Sequence, residues 1–264
     1  MKTTQTATQV IPILGDPVAQ VATPRLWNEV FHARGQDAVC VPIDLPSAGL
    51  DPFLSWVREA RNVPGFLTTV PHKASLALAC DELSATARLL GVVNTVRLGE
   101  GGALIGEMFD GHGMLDAIEQ SGATLAGARL VICGAGAAGG AIALEAANRH
   151  AEEIALIDAD PERASALAEK VRSAARLRVT TEMPDGADIL VNASPAGSPG
   201  AAPPPFVEAL IAGARCVADA LTDPEETALL KAARLHGIPA VAGKEMAACQ
   251  AERMRAFLGL EQRN

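Results

Sequence analysis

The sequence contains no tyrosine at all, and only two tryptophans and six phenylalanines among 264 residues. Any mechanism that requires a catalytic tyrosine, including the Tyr–Lys pair of many small reductases, is excluded by that absence. Cysteine is sparse too: Cys40, Cys80, Cys133, Cys216 and Cys249 make five, none in C-x-x-C spacing or beside a patterned histidine. That excludes a structural zinc site of the usual spacing, and no metal is expected. An odd number of cysteines in apolar stretches such as Leu130–Cys133 points to buried free thiols in a reducing compartment. Basic residues are in deficit, with 22 Lys and Arg against 31 Asp and Glu, a net charge of −9. A surface of that sign repels phosphate backbones and anionic lipid, so nucleic acid and membranes are not expected partners. Long apolar runs are missing as well. Nothing approaches the roughly 20 residues that span a bilayer, and Met1–Gln5 lacks a signal-peptide core. The expectation is a cytoplasmic protein, monomer or homodimer, that acts on a small molecule.

What remains is an ordinary globular composition, 49% hydrophobic and 20% charged, sufficient for one large or two modest domains. Short β-branched runs alternate with Ala/Leu-rich helical stretches. Val10–Leu14, Ala38–Ile43 and Phe66–Val70 read as strands. Thr23-Pro24 is expected to open a helix, with Thr23 as cap and Pro24 where its missing N–H costs nothing. Further helices are predicted near Asp51–Ala60 and over Leu76–Leu90, followed by a hairpin of Val92–Leu98 and Ala103–Ile105. A second run of alternation starts at strand Arg129–Cys133 and continues through Ile154–Ile157, Val179–Thr181, Ile189–Val191 and Cys216–Ala220. Pro195–Pro205 reads as a surface loop. The alternation argues for an α/β fold with mainly parallel sheet.

Gly134-Ala135-Gly136-Ala137-Ala138-Gly139 is a G-x-G-x-x-G run between an apolar strand and an alanine-rich helix. Gly134 permits the tight turn, Gly136 lets the backbone approach a pyrophosphate, and Gly139 lets helix and strand pack closely. The phosphates would lie at the helix N-terminus, where unpaired N–H groups and the dipole favour negative charge. Asp158 ends the next strand about 20 residues on, where a carboxylate accepts hydrogen bonds from adenosine ribose hydroxyls and repels a 2′-phosphate. Asp160 is expected to cap the following helix ahead of Pro161 and to add to the repulsion. NAD is therefore expected over NADP. Arg163 is the opposing hint, since it could reach a phosphate from one turn into that helix.

Six short motifs then occur in order: Val70-Pro71-His72-Lys73, Gly91–Thr95, Asp110–Gly113, Gly134–Gly139, Asn192–Gly197 and Gly243–Gln250. With them the chain resembles the shikimate/quinate dehydrogenase family over nearly its whole length. The resemblance implies two α/β domains. Residues 1–110 and 244–264 would form a discontinuous substrate-binding catalytic domain, and residues 111–243 a Rossmann-like dinucleotide-binding domain. It implies Lys73 as the acid/base residue and Asp110 as its partner, with Asn94 and Gln250 orienting hydroxyls of a cyclic polyol. It also implies substrate contacts from Thr23 and Thr69. Beyond the glycine-rich loop, the cofactor would meet Asn192, Ala193 and Gly243. The proton chemistry fits a lysine, whose charge responds to burial and to a nearby carboxylate.

The departures concern the carboxylate-handling end and the cofactor's 2′-phosphate position. The family's S-x-S-P is Val21-Ala22-Thr23-Pro24 here, so Val21 lacks the first hydroxyl. An asparagine of the family is Leu67, its D-x-x-Y tyrosine is Thr222, and its basic N-R-T segment is Asp158-Ala159-Asp160. His72 reads as a residue behind the site, and His112 as structural or solvated. The expected function is hydride transfer between a nicotinamide cofactor and shikimate, quinate or a related cyclic polyol acid. Two alternatives stay open: a catalytically weak NAD-binding regulator, and a dehydrogenase of another small hydroxy acid or polyol.

Overall fold

The computed structural model describes residues 8–19 and 21–260, so the Met1–Gln5 segment lies outside the described residues. The chain divides into two compact units, Met1–Phe109 with Ala251–Asn264, and Asp110–Gln250.

The first unit runs β1 (Gln9–Gly15), α1 (Thr23–Ala33), β2 (Ala38–Asp44), α2 (Leu50–Glu59), β3 (Gly65–Thr68), α3 (Lys73–Ala79), β4 (Glu82–Leu83), α4 (Ala85–Leu90), β5 (Thr95–Leu98) and β6 (Leu104–Glu107). Its sheet has the order β2-β1-β3-β5-β6-β4. Pairing is parallel around β1 and antiparallel from β3 through the β5–β6 hairpin, so this sheet is mixed. Apolar side chains of β1, α1 and β3, among them Ile11, Ile13, Trp27, Phe31 and Leu67, form a core with Met254, Leu258 and Leu260 from the C-terminal segment. Trp27 and Phe31, one helical turn apart, meet edge to face at 6.0 Å.

Two expectations for this unit are corrected. Thr23 is the first residue of α1 and not its cap, because Ala22 is already helical (φ −81°, ψ −17°) and makes no side-chain cap. The helix expected over Leu76–Leu90 is broken in two. Cys80 turns extended after α3, Asp81 accepts the Leu104 N–H at 2.7 Å, and Glu82–Leu83 pair with β6. Ser84 then caps α4 by accepting the Ala87 N–H. Strand pairing with a distant segment outweighs the local helical pattern.

The second unit runs α5 (Asp110–Gln120), β7 (Arg129–Cys133), α6 (Ala137–Asn148), β8 (Glu153–Ile157), α7 (Pro161–Ala174), β9 (Arg178–Thr180), β10 (Ile189–Asn192), α8 (Glu208–Gly213), β11 (Cys216–Asp219), α9 (Ala228–Leu235), β12 (Ala240–Val241) and α10 (Gly243–Phe257). The last turns of α10 belong to the first unit. All its strand pairs are parallel, in the order β12-β11-β10-β7-β8-β9. Strands covered on both faces read as unbroken apolar runs, and β10 and β11 are buried at every residue. From β7 the chain winds outward through β8 and then returns to β10 on the other side. The carboxyl ends of β7 and β10 therefore flank the switch point where open parallel sheets receive ligands.

None of the five cysteines is in a disulfide; Cys80 and Cys249 are half-buried, against the expectation that all are buried. No helix among the described residues is long and apolar enough to cross a membrane, and no cluster among them is placed to hold a metal.

Candidate active site

The glycine-rich loop leaves β7 with Gly134 at φ +106°. A Cβ on Gly134 would lie 2.6 Å from the Ala193 backbone, and one on Gly139 only 1.8 Å from the Gly134 carbonyl oxygen. The fold itself demands both glycines. Gly136 differs, because its nearest neighbour would be the Arg163 guanidinium at 3.5 Å, an ordinary contact. Gly136 precedes α6 and offers no side-chain cap, so N–H groups of the first helical turn, at Ala137 and Ala138, lack a side-chain acceptor. This is a cradle that a Cβ would fill and an anion would fit.

Asp158 follows β8. Its carboxylate accepts the Ala135 N–H at 2.7 Å and the Asp160 N–H at 2.9 Å, while Arg163 Nη1 lies 3.9 Å away. Burial pulls its pKa upward, but those two N–H groups and the Arg163 charge hold it below the usual carboxylate range. Both oxygens thus serve the loop and the turn, and the exposed guanidinium beside them offsets the negative charge. Asp160 caps α7, accepting the Glu162 N–H at 3.0 Å.

Across the switch point the Asn192 side chain is engaged within the chain. Its amide donates to the Ala196 carbonyl at 2.8 Å and to Asp219 at 3.1 Å, and its oxygen accepts from the Ser194 hydroxyl at 2.7 Å. Asn192 therefore shapes the loop that carries Ala193. Gly243 lies against the next loop, since a Cβ there would come 2.4 Å from the Leu221 carbonyl oxygen. Thr222, in that loop, is exposed. Sequence reasoning missed the pairing of Asn192 with Asp219 and of Asp219 with Thr227 (2.7 Å). The available signal was an apolar strand that ends in aspartate.

In the first unit, Lys73 opens α3 and is half-buried. His72 just before it is buried, and its Nε2–H donates to the Leu45 carbonyl at 2.7 Å, which pins the start of that helix. The Val93 N–H donates to the Lys73 carbonyl (3.1 Å) and the Thr68 N–H to the Asn94 carbonyl (2.9 Å), so the unit brings Lys73 and Asn94 together. Asn94 is buried, and its side-chain oxygen accepts the Phe109 N–H and the Thr95 hydroxyl, each at 3.1 Å. It thereby fixes the chain just before Asp110. Thr69 is half-buried, anchored through its N–H to the Leu14 carbonyl. Val21 packs against the apolar cluster that holds Leu67, and Thr23 is half-buried. In the second unit, Asp110 is buried at the start of α5, and Gln250 has a buried Oε1 with no hydrogen-bond partner among the described residues.

Comparison with known proteins places this arrangement. The family model for the shikimate dehydrogenase substrate binding domain matches residues 13–96. The chain is 35% identical over 262 residues to the shikimate dehydrogenase (NADP(+)) of Rubrobacter xylanophilus, covering 96% of this chain and 92% of that protein. Among solved structures, a shikimate dehydrogenase in complex with NADP+ superposes with a TM-score of 0.88 at 30% identity, covering 98% of this chain and 93% of the other. The ligand-free 5-ketofructose reductase of Gluconobacter sp. strain CHM43 gives 0.86 at 30% identity, covering 95% and 92%. These findings overturn the expected preference for NAD: the curated relative is named for NADP(+), and a structural relative was solved with it. The physical reason is local, since Asp158 is tied to backbone N–H groups and Arg163 stands beside it. With a relative this similar over nearly the full length, the chain belongs to the shikimate/quinate dehydrogenase family.

Proposed function

We propose that the chain interconverts a secondary alcohol and its ketone on shikimate, quinate or a related cyclic polyol acid, with NADP as hydride partner. The observation that carries this reading is the buried, unpartnered Oε1 of Gln250, an acceptor that a substrate hydroxyl completes. In this reading the first unit is the substrate domain and the second holds the dinucleotide. The Gly134–Gly139 loop and the α6 N-terminus would hold the pyrophosphate, and Arg163 would meet the 2′-phosphate. When bound, the nicotinamide supplies the hydride acceptor or donor. Lys73 Nζ, in its neutral form, takes the hydroxyl proton as the C–H electron pair departs with hydride, and returns it in the reverse direction. Asp110 takes the family's role as partner of the lysine. Asn94, whose oxygen accepts from Phe109 and Thr95, takes the family's role of orienting a substrate hydroxyl.

One observation favours a second reading. Val21 and Leu67 join a single apolar cluster where the family comparison expects polar side chains, which suits an uncharged polyhydroxy ketone of the kind the Gluconobacter reductase is named for. Turnover of shikimate, quinate and an uncharged polyhydroxy ketone with both nicotinamide cofactors tests both readings. Activity only on the acids supports the first, and activity only on the uncharged ketone the second.

A further inference from the structure

Asp219 ends β11 with its carboxylate fully buried. Its Oδ1 accepts from Asn192 Nδ2 and from the Leu221 N–H, each at 3.1 Å, and its Oδ2 from the Thr227 hydroxyl at 2.7 Å. All three are neutral donors. Burying a carboxylate without a cation is costly, and burial pushes its pKa upward. Secondary structure does not require it. Thr227 itself caps α9 by accepting the Leu230 N–H, and the backbone of β11 is paired on both sides by β10 and β12. What the carboxylate does is join the exits of two adjacent parallel strands.

Those exits lead into the loops at the switch point. On the β10 side, Asn192 holds Ser194 and Ala196, and Ala193 abuts Gly134, the first glycine of the phosphate loop. On the β11 side, the Ala220 N–H donates to the Asn192 carbonyl at 2.8 Å, and Leu221 abuts Gly243. One buried carboxylate therefore sets both segments relative to the glycine-rich loop. The adenosine half of a dinucleotide belongs on the β8 side, beside Asp158 and Arg163. Its other half must then cross the switch point and lie over β10 and β11.

We propose that Asp219 is a positioning residue for the nicotinamide half of the cofactor, acting through Asn192 and Leu221 to set the loops 193–197 and 220–222. This rests on the reading of the chain as an NADP enzyme. A purely structural aspartate would, when removed, weaken the whole nucleotide site alike. A positioning aspartate affects one half only.

The test compares NADPH with adenosine 2′,5′-bisphosphate, which carries only the adenosine half, each titrated against the full-length protein. Asp219→Ala is expected to weaken NADPH at least tenfold and the fragment less than twofold. Asp219→Asn keeps an acceptor toward Asn192 and Leu221 and can turn its amide to the Thr227 hydroxyl, so NADPH affinity returns to within threefold of wild type. If Asp219→Ala does not fold, Asn192→Asp reads the same contact from the other side by opposing two carboxylates, and the same split is expected. Equal weakening of NADPH and fragment, or a shift below twofold in both, overturns the proposal. Failure of the wild-type chain to bind either molecule overturns the cofactor reading, and the proposal with it.

Discussion

Gly136→Ala separates what the fold needs from what a ligand needs. The backbone there (φ −84°, ψ −164°) is open to any residue, and the nearest atom to an added Cβ is Arg163 Nη2 at 3.5 Å. That atom ends a flexible, exposed side chain and can yield. Gly→Ala at a compatible site stabilises by roughly 0.4–1 kcal/mol, through the unfolded chain. For a protein of this size that is an unchanged Tm or a rise of about 1–4 °C. Cofactor binding responds in the opposite sense. A methyl group where the backbone meets the pyrophosphate removes a charge-assisted hydrogen bond of about 1.5–3 kcal/mol. The NADPH Kd is then expected to rise about 10- to 150-fold. NADPH fluorescence titration and thermal unfolding of the same preparation supply both numbers. Gly139→Ala gives the contrast: its Cβ would stand 1.8 Å from the Gly134 carbonyl, so it must lower Tm. An NADPH Kd within twofold of wild type in folded Gly136→Ala would refute the phosphate-cradle assignment.

Lys73→Ala is expected to lower kcat about 10²–10⁴-fold while leaving the NADPH Kd within twofold, and Asp110→Asn to lower it comparably. Near-wild-type turnover in either variant removes that residue from the mechanism. Arg163→Ala is expected to weaken NADP about tenfold and NAD less than twofold, with the difference shrinking as salt rises; equal weakening in a binding titration would reject Arg163 as the 2′-phosphate contact. Val21→Ser takes one side chain from the cluster of Ile11, Trp27 and Leu67, a loss of about 1 kcal/mol in stability, and should lower KM for shikimate. An unchanged or higher KM in steady-state kinetics favours the uncharged ketone as substrate.

Local chemistry made the second unit legible. A buried apolar run at β7, glycines that no Cβ can replace, and the Asp160-Pro161 start of α7 each act within a few residues. The break at Cys80–Ser84 was not legible, because β6, about 20 residues on, supplies the pairing that wins over helix propensity. The cap assigned to Thr23 failed for a similar reason, since the helix starts earlier than the Thr-Pro signal implies. The six motifs single out the glycine-rich loop, Lys73 and Asn94 as candidates, but a motif carries no direction for a side chain. Asn192 points its amide into the protein, toward Asp219 on the neighbouring strand. Cofactor choice was misread in the same way. Asp158 in the sequence reads as a bare negative charge facing the ribose, whereas in the structure its carboxylate accepts two backbone N–H groups and Arg163 lies alongside.

In the proposed reaction the chain moves hydride between NADP and a polyhydroxylated alcohol, with Lys73 handling the proton. The most direct measurement follows reduced-nicotinamide absorbance when wild type and Lys73→Ala are mixed with NADP+ and shikimate or quinate. The wild type is expected to form NADPH and Lys73→Ala to lose at least 99% of that rate, about the 10²-fold that positioned proton transfer contributes at minimum. No NADPH from either acid, together with no NADPH oxidation by an uncharged polyhydroxy ketone in the reverse direction, would contradict it.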